Sequence, residues 1–202
     1  MKQSVLKVFA TIALTCPLIA GAVKTGEAAP DFHATDVNGK TETLSQYRGK
    51  YVVLEWTNKD CPYTRKHYVS GNMQALQKEW TGKGVVWLTV LSSAPGNEGY
   101  MDASAEQKQL QQMHASPTTA LLDPTGEIGH LYEARTTPHM YVIDPNGKLI
   151  YQGAIDDRTT TDPADVKGAT NYVSEALSES MAGKPVVTAT TRPYGCSVKY
   201  GH

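Results

Sequence analysis

The sequence predicts an α/β protein, a central mixed β-sheet flanked by helices on both faces. Three observations lead there. Two near-continuous apolar runs rich in β-branched residues, YVVLEWT (Tyr51–Thr57) and VVWLTVL (Val85–Leu91), have the make-up of strands buried on both faces. The segment between them, from Cys61 to Trp80, is helical in character, so the unit reads strand, helix, strand with a right-handed crossover. Further on, MYVIDPNGKLIYQG (Met140–Gly153) is two strands joined around Asn146-Gly147, a strong short-range hairpin signal.

Taken in order, the chain first offers a short extended region, APDFHATDVNGKTETLSQYRGK, ahead of the first buried strand. The helical segment after Cys61 is expected to break at Ser70-Gly71-Asn72. A Gly- and Pro-bearing loop, SSAPGNEGYMD, leads into a polar helix over Ser104–Ala115, with Ser104 and Gln107 spaced as a capping box. Thr118–Asp123 is a short strand. After the hairpin, Val166, Ala169, Tyr172, Val173, Ala176, Leu177 and Met181 fall on one helical face, and Gly183 with Pro185 ends that helix. The remainder, PVVTATTRPYGCSVKYGH, reads as an extended tail.

The 202 residues suit one globular domain with a sizeable core. A net charge of −1, with both signs interspersed, gives no electrostatic footprint for nucleic acid or an anionic membrane. Residues 1–22 have the three parts of a secretory signal: Lys2 and Lys7, a short apolar run from Val8 to Ala20, and a small-x-small cleavage site at Ala20-Gly21-Ala22. That run is too short for an ordinary membrane span. The expected mature chain therefore begins near Val23, in the periplasm or outside the cell, with a domain over 23–183 and a tail over 184–202. A lipoprotein signal is the lesser alternative, because the residues before Cys16 fit a lipobox poorly. Removal of the signal takes Cys16 with it and leaves Cys61 and Cys196, an even pair in an oxidising compartment. They are either a structural staple or a redox pair.

The chemistry concentrates at DCPYTRKHY (Asp60–Tyr68). Cysteine reacts as thiolate, and its surroundings set how much thiolate exists. Cys61 follows a buried strand and a polar turn, and Pro62 suits the first position of a helix, where a missing N–H costs nothing. The sulfur is thus expected beside unpaired N–H groups at the positive end of a helix dipole, with Arg65 and Lys66 one turn on. Thr64 stands where a CxxC motif has its second cysteine. It either donates its hydroxyl to the sulfur or acts as an ordinary capping threonine.

The long stretch GEAAPDFHATDVNGKTETLSQYRGKYVVLEW, the cysteine at a helix start and LLDPTGEIGHLYEARTTPHMYVIDPNGKLIYQGAID together resemble the thioredoxin-like redoxin branch. That branch holds the peroxiredoxins of the alkyl hydroperoxide reductase/thiol-specific antioxidant type and the periplasmic thioredoxin-like reductases. The resemblance runs from about Gly26 to Leu177 and implies a thioredoxin-like fold with an N-terminal extension and an extended C-terminal tail. It implies that Thr137-Pro138 is the cis-proline packed against the active cysteine, with the Thr137 backbone free to pair with an incoming chain and His139 nearby. The peroxiredoxin pattern P-x-x-x-T-x-x-C is not kept: Leu54 and Asn58 hold its Pro and Thr positions, and Thr57 is one residue out of register. Arg135 is the nearest candidate for the family's arginine, with Arg65 and Arg158 as substitutes.

The expected function is a secreted thiol peroxidase that reduces hydroperoxides. Cys61 is its nucleophile, Thr57, Thr64 and Arg135 support it, and Cys196, 135 residues on, resolves its sulfenic acid to a disulfide. A thioredoxin-like protein, docking at Pro62 and the Thr137-Pro138 edge, would then reduce that disulfide. No metal or organic cofactor is expected, since position 65 is Arg and His67, His114, His130, His139 and His202 show no ligand spacing. The Cys61–Cys196 bond closes either within one chain or between the chains of a homodimer. One alternative is an electron relay acting only on protein disulfides. Another is a non-catalytic module in which the disulfide is a staple contributing roughly 4–5 kcal/mol.

Overall fold

The computed structural model describes residues 23–201, so the expected secretory signal lies outside the described residues. A hairpin of β1 (His33–Asp36) and β2 (Thr41–Thr43) opens the fold. Then follow β3 (Val52–Trp56), α1 (Pro62–Val69), α2 (Asn72–Gly82), β4 (Val86–Leu91), α3 (Ala103–Gln112) and β5 (Thr119–Leu122). The second half holds α4 (Glu127–Leu131), β6 (Thr136–Thr137), β7 (His139–Ile143), β8 (Leu149–Gly153), α5 (Tyr172–Met181) and β9 (Cys196–Ser197). Seven strands make one mixed sheet in the order β2-β1-β5-β4-β3-β7-β8, while β6 and β9 form a separate two-stranded ladder. This is the thioredoxin-like arrangement expected from the sequence.

The apolar runs sit where their composition puts them: every residue of β3 and β4 is buried, and the two pair in parallel from Val52↔Val86 to Trp56↔Val90. Alternation along β3 divides the core in two. Leu54 and Trp56 join Leu88, Tyr132 and Tyr141 on one face. Val53 joins Met73, Trp80, Trp87, Met140 and Leu177 on the other. Burying each such side chain contributes roughly 1.5–3 kcal/mol. Gly71 breaks the crossover helix as expected, with a left-handed φ of 77° that divides α1 from α2.

Several local expectations need correction. The polar helix starts at Ala103 and is capped by the Asp102 carboxylate, which accepts from the Ala105 N–H at 2.8 Å; Ser104 does not cap it. An N-cap carboxylate also complements the helix dipole, so it outcompetes a hydroxyl. The last helix starts at Tyr172, capped by Asn171, so Val166 and Ala169 lie outside it and only Val173, Ala176 and Leu177 are buried. The segment expected to be extended holds the β1–β2 hairpin and the expected tail holds β9, while α4 and β6 carry no sequence expectation of helix or strand.

The register explains the position of the site. β7 runs antiparallel to β3, with Trp56 opposite His139. The C-terminal end of β3 and the N-terminal end of β7 therefore share one sheet edge. The segments just beyond them, Thr57–Cys61 and Thr136–Pro138, are held side by side at a switch in strand direction, where open α/β sheets form their crevices.

Candidate active site

Cys61 is placed by a tied-down turn. Its N–H bonds the Asn58 carbonyl at 3.1 Å, and the Asn58 side chain accepts from the Asp60 N–H at 2.8 Å. The same amide donates to Ser93 Oγ and to the Glu98 carbonyl, so Asn58 fixes both the turn and the facing loop. Gly99 (φ +78°) allows this, because a Cβ there would overlap the Asn58 amide. Cys61 is the N-cap of α1 and Pro62 its first residue, as expected. The cysteine is 1% exposed, and its thiol donates to the Thr137 carbonyl at 2.9 Å. The Thr137-Pro138 peptide is cis.

The second cysteine comes to the first within the same chain. β9 pairs antiparallel with β6, Thr136 opposite Ser197 and Thr137 opposite Cys196, and the Val198 N–H extends the ladder to the Arg135 carbonyl at 3.1 Å. Gly195 (φ +141°) passes so close to the Thr137 carbonyl that any Cβ would collide with it. Both cysteines are free thiols and they interact through their side chains. Burial pushes the Cys61 thiol up, but the Cys196 thiol and the backbone N–H groups of Thr64 and Cys196 favour its thiolate and hold it below the usual cysteine value. Cys196 is pushed up to about 12 by burial, by its hydrogen bond to Cys61 and by the charge Cys61 develops. The pair thus has one thiol biased toward thiolate and one toward the protonated form.

Two tyrosines pin the tail on either side of Cys196. The Tyr194 hydroxyl donates to Asp156 and lies 3.4 Å from Lys66 Nζ and 3.2 Å from His67 Nε2, while its ring packs edge-on against Tyr63. Lys66 and Asp156 are a buried pair, their side chains 0% and 1% exposed. The Tyr200 hydroxyl donates to the Ala134 carbonyl at 2.7 Å, and its ring stacks on His130. Gly126 and Gly129 leave room for that ring, since a Cβ at either would run into it. Upstream, Thr191 Oγ1 accepts from the Ala154 N–H at 2.9 Å and meets the Tyr151 hydroxyl.

The remaining expectations divide. The Thr137 edge is not free for an incoming chain, because β9 already occupies it. Thr64 is 2% exposed, yet its hydroxyl has no hydrogen-bond partner; its backbone N–H is what reaches the sulfur. Thr57 lies with Thr64, Tyr68, Met101 and Glu106 around a small cavity, and makes no hydrogen bond to Cys61. The Arg135 side chain is 75% exposed and faces Glu133, so it brings no charge to the sulfur. Arg65 is exposed, and Lys66 turns inward to the Arg158 carbonyl and Asp156. His139 is buried, with Nδ1 between the Arg135 N–H and the Tyr141 hydroxyl. Missed from sequence were the roles of Asn58, Gly195 and Asp156. The glycine directly before a tail cysteine was the available signal for the second.

Comparison with known proteins places the chain among proteins of this fold. The thiol-disulfide oxidoreductase ResA of Oceanobacillus iheyensis is 32% identical over 138 residues, covering 65% of this chain and 67% of that protein. A conserved protein of uncharacterised role from Geobacillus kaustophilus shares the fold over 88% of this chain and 93% of its own, at a TM-score of 0.76 and 24% identity. The exposed lipoprotein thioredoxin Etrx1 of Streptococcus pneumoniae, 27% identical, matches 68% of this chain and 97% of its own at a TM-score of 0.50. The AhpC/TSA family model matches residues 25–152, which contain β3, Cys61, the cis-proline and the hairpin strand after it. With that match over more than half its length, this chain belongs to the AhpC/TSA family.

Proposed function

We propose that the protein is a thiol–disulfide oxidoreductase whose Cys61 and Cys196 form a reversible intramolecular couple, exchanging two electrons with the dithiol or disulfide of a protein partner outside the cytoplasm. The carrying observation is the ladder that sets Cys196 opposite Thr137 and against the Cys61 sulfur. A staple would not need one of its cysteines at a helix N-terminus with donors around its sulfur. The similarity to ResA favours the same reading. In the reductive direction, a partner dithiol breaks the Cys61–Cys196 bond through a mixed disulfide and leaves as a disulfide. Two electrons pass to the pair, and the protons go to the released thiols and to solvent.

The test is a stoichiometric one. The oxidised protein is added to thioredoxin, thioredoxin reductase and NADPH. The expected result is a burst of one NADPH per chain, abolished in Cys61→Ser and Cys196→Ser. Absence of a burst from protein shown by mass to be oxidised overturns the proposal.

A second reading, a peroxidase, draws on the family match and on a resolving thiol already beside Cys61. Against it, Asn58 is committed to the turn and Arg135 points to solvent, so the donors that would stabilise a breaking O–O bond are not assembled. Sustained NADPH consumption after adding hydrogen peroxide or cumene hydroperoxide to the same mixture would establish it.

A further inference from the structure

We propose that the tail strand is a permanently docked client peptide, so that external thiols exchange at the Cys196 sulfur while Cys61 stays covered and serves as leaving group. This deepens, and rests on, the thiol-exchange reading above.

Four observations carry it. First, β9 adds to β6 as an extended peptide adds to a sheet edge, by main-chain pairing from Arg135 to Thr137, so that edge has no room for a partner's strand. Second, the tail is anchored on both sides of the cysteine, by Tyr194 and by Tyr200. Lifting it would strip Asp156, Lys66 and His67 of the hydroxyl they share and leave a buried charged cluster open. Leaving such groups unpaired is costly, so the docked state persists through the cycle. Third, Cys61 is 1% exposed, whereas Cys196 keeps part of its surface in solvent.

The fourth is stereochemical. Attack on a disulfide needs the nucleophile roughly in line with the breaking S–S bond. A thiolate aimed at Cys61 would have to reach a residue that is 1% exposed at the start of α1, in the same turn as the buried Thr64. One aimed at Cys196 meets a residue that is only partly buried. The step then balances: the incoming thiolate forms a bond to Cys196 Sγ, the Cys61–Cys196 bond breaks, and Cys61 departs as thiolate. The partner's second thiol, deprotonated, attacks the partner sulfur of that mixed disulfide. Cys196 leaves and takes up a proton, and the partner is oxidised by two electrons. The lowering of the Cys61 thiol and the raising of Cys196 favour this order, since the better leaving group departs in the first step.

The test uses the full mature chain in its oxidised form and two probes: glutathione, and a thioredoxin whose resolving cysteine is serine. Early acid quenching and peptide mapping locate the mixed disulfide. The expected result is at least a tenfold excess of adduct on Cys196 over Cys61 with both probes. Gly195→Ala, which cannot close β9 onto the Thr137 carbonyl, should erase that excess and expose reduced Cys61 to N-ethylmaleimide. Adduct mainly on Cys61 in the parent chain overturns this inference and leaves thiol exchange standing. No adduct at either sulfur overturns both.

Discussion

Cys61 and Cys196 differ because their surroundings differ in what they offer a negative charge. Around Cys61 the backbone of a helix start and a neighbouring thiol point hydrogens at the sulfur. Cys196 loses solvent by burial and has Cys61 itself as its neighbour, so a second charge there is opposed. Removing the donor should therefore move the Cys61 titration. In Cys196→Ala the Cys61 thiolate is expected to titrate at higher pH than in the reduced parent, followed by ultraviolet thiolate absorbance. An unchanged midpoint would mean that the helix terminus alone sets it. At this scale the sequence was readable for Cys61 and Pro62, whose signals are local. It was not readable for Arg135 or Lys66. A charge adjacent in sequence can point to solvent or into the core, and packing decides which.

At the scale of elements, the tail places Cys196. It has only a two-residue strand of its own, and side chains placed two before and four after Cys196 add to its main-chain bonds in holding it on the body. Tyr194→Phe keeps the ring and removes the hydroxyl shared by Asp156, Lys66 and His67. The expected cost is about 1–3 kcal/mol in urea unfolding, with faster alkylation of Cys61 in the reduced protein. A variant as stable as the parent, with Cys61 still protected, would show that Tyr200 and the ladder hold the tail unaided. Elements with strong periodicity or composition, such as β3, β4 and the β7–β8 hairpin, were legible. Two-residue ladders such as β6–β9 leave no periodic trace and exist only because two distant segments meet.

Over the whole molecule, four buried titratable groups shape the pH dependence of stability. Burial holds His67 and His139 down to about 3, from 6.5. Their contribution is present above 6.5 and is lost as pH falls toward 3, because the unfolded chain binds those protons first. Burial raises Glu55 to about 7 and Glu106 to about 8, from 4.5. Their contribution is present below 4.5 and is lost as pH rises through 7 and 8. Each proton changes stability by about 1.4 kcal/mol per pH unit within its window. Between 4.5 and 6.5 the two pairs oppose one another, so denaturation midpoints are expected to form a plateau there and to fall on both sides. Glu106→Gln should flatten the alkaline fall. A maximum well above pH 8 would contradict this account.

By itself the sequence determined the sheet, its main helices and a cysteine at a helix start, and its resemblance to the redoxin branch pointed to the family that the AhpC/TSA match shows. The sheet, the helices and the cysteine's position follow from composition and spacing that act over a few residues. The tertiary structure alone decided that the tail strand fills the Thr137 edge, that the two thiols meet within one chain and that the candidate arginine stands apart. These depend on which surfaces touch after folding, and for Cys61 and Cys196 the touching residues are separated by most of the domain.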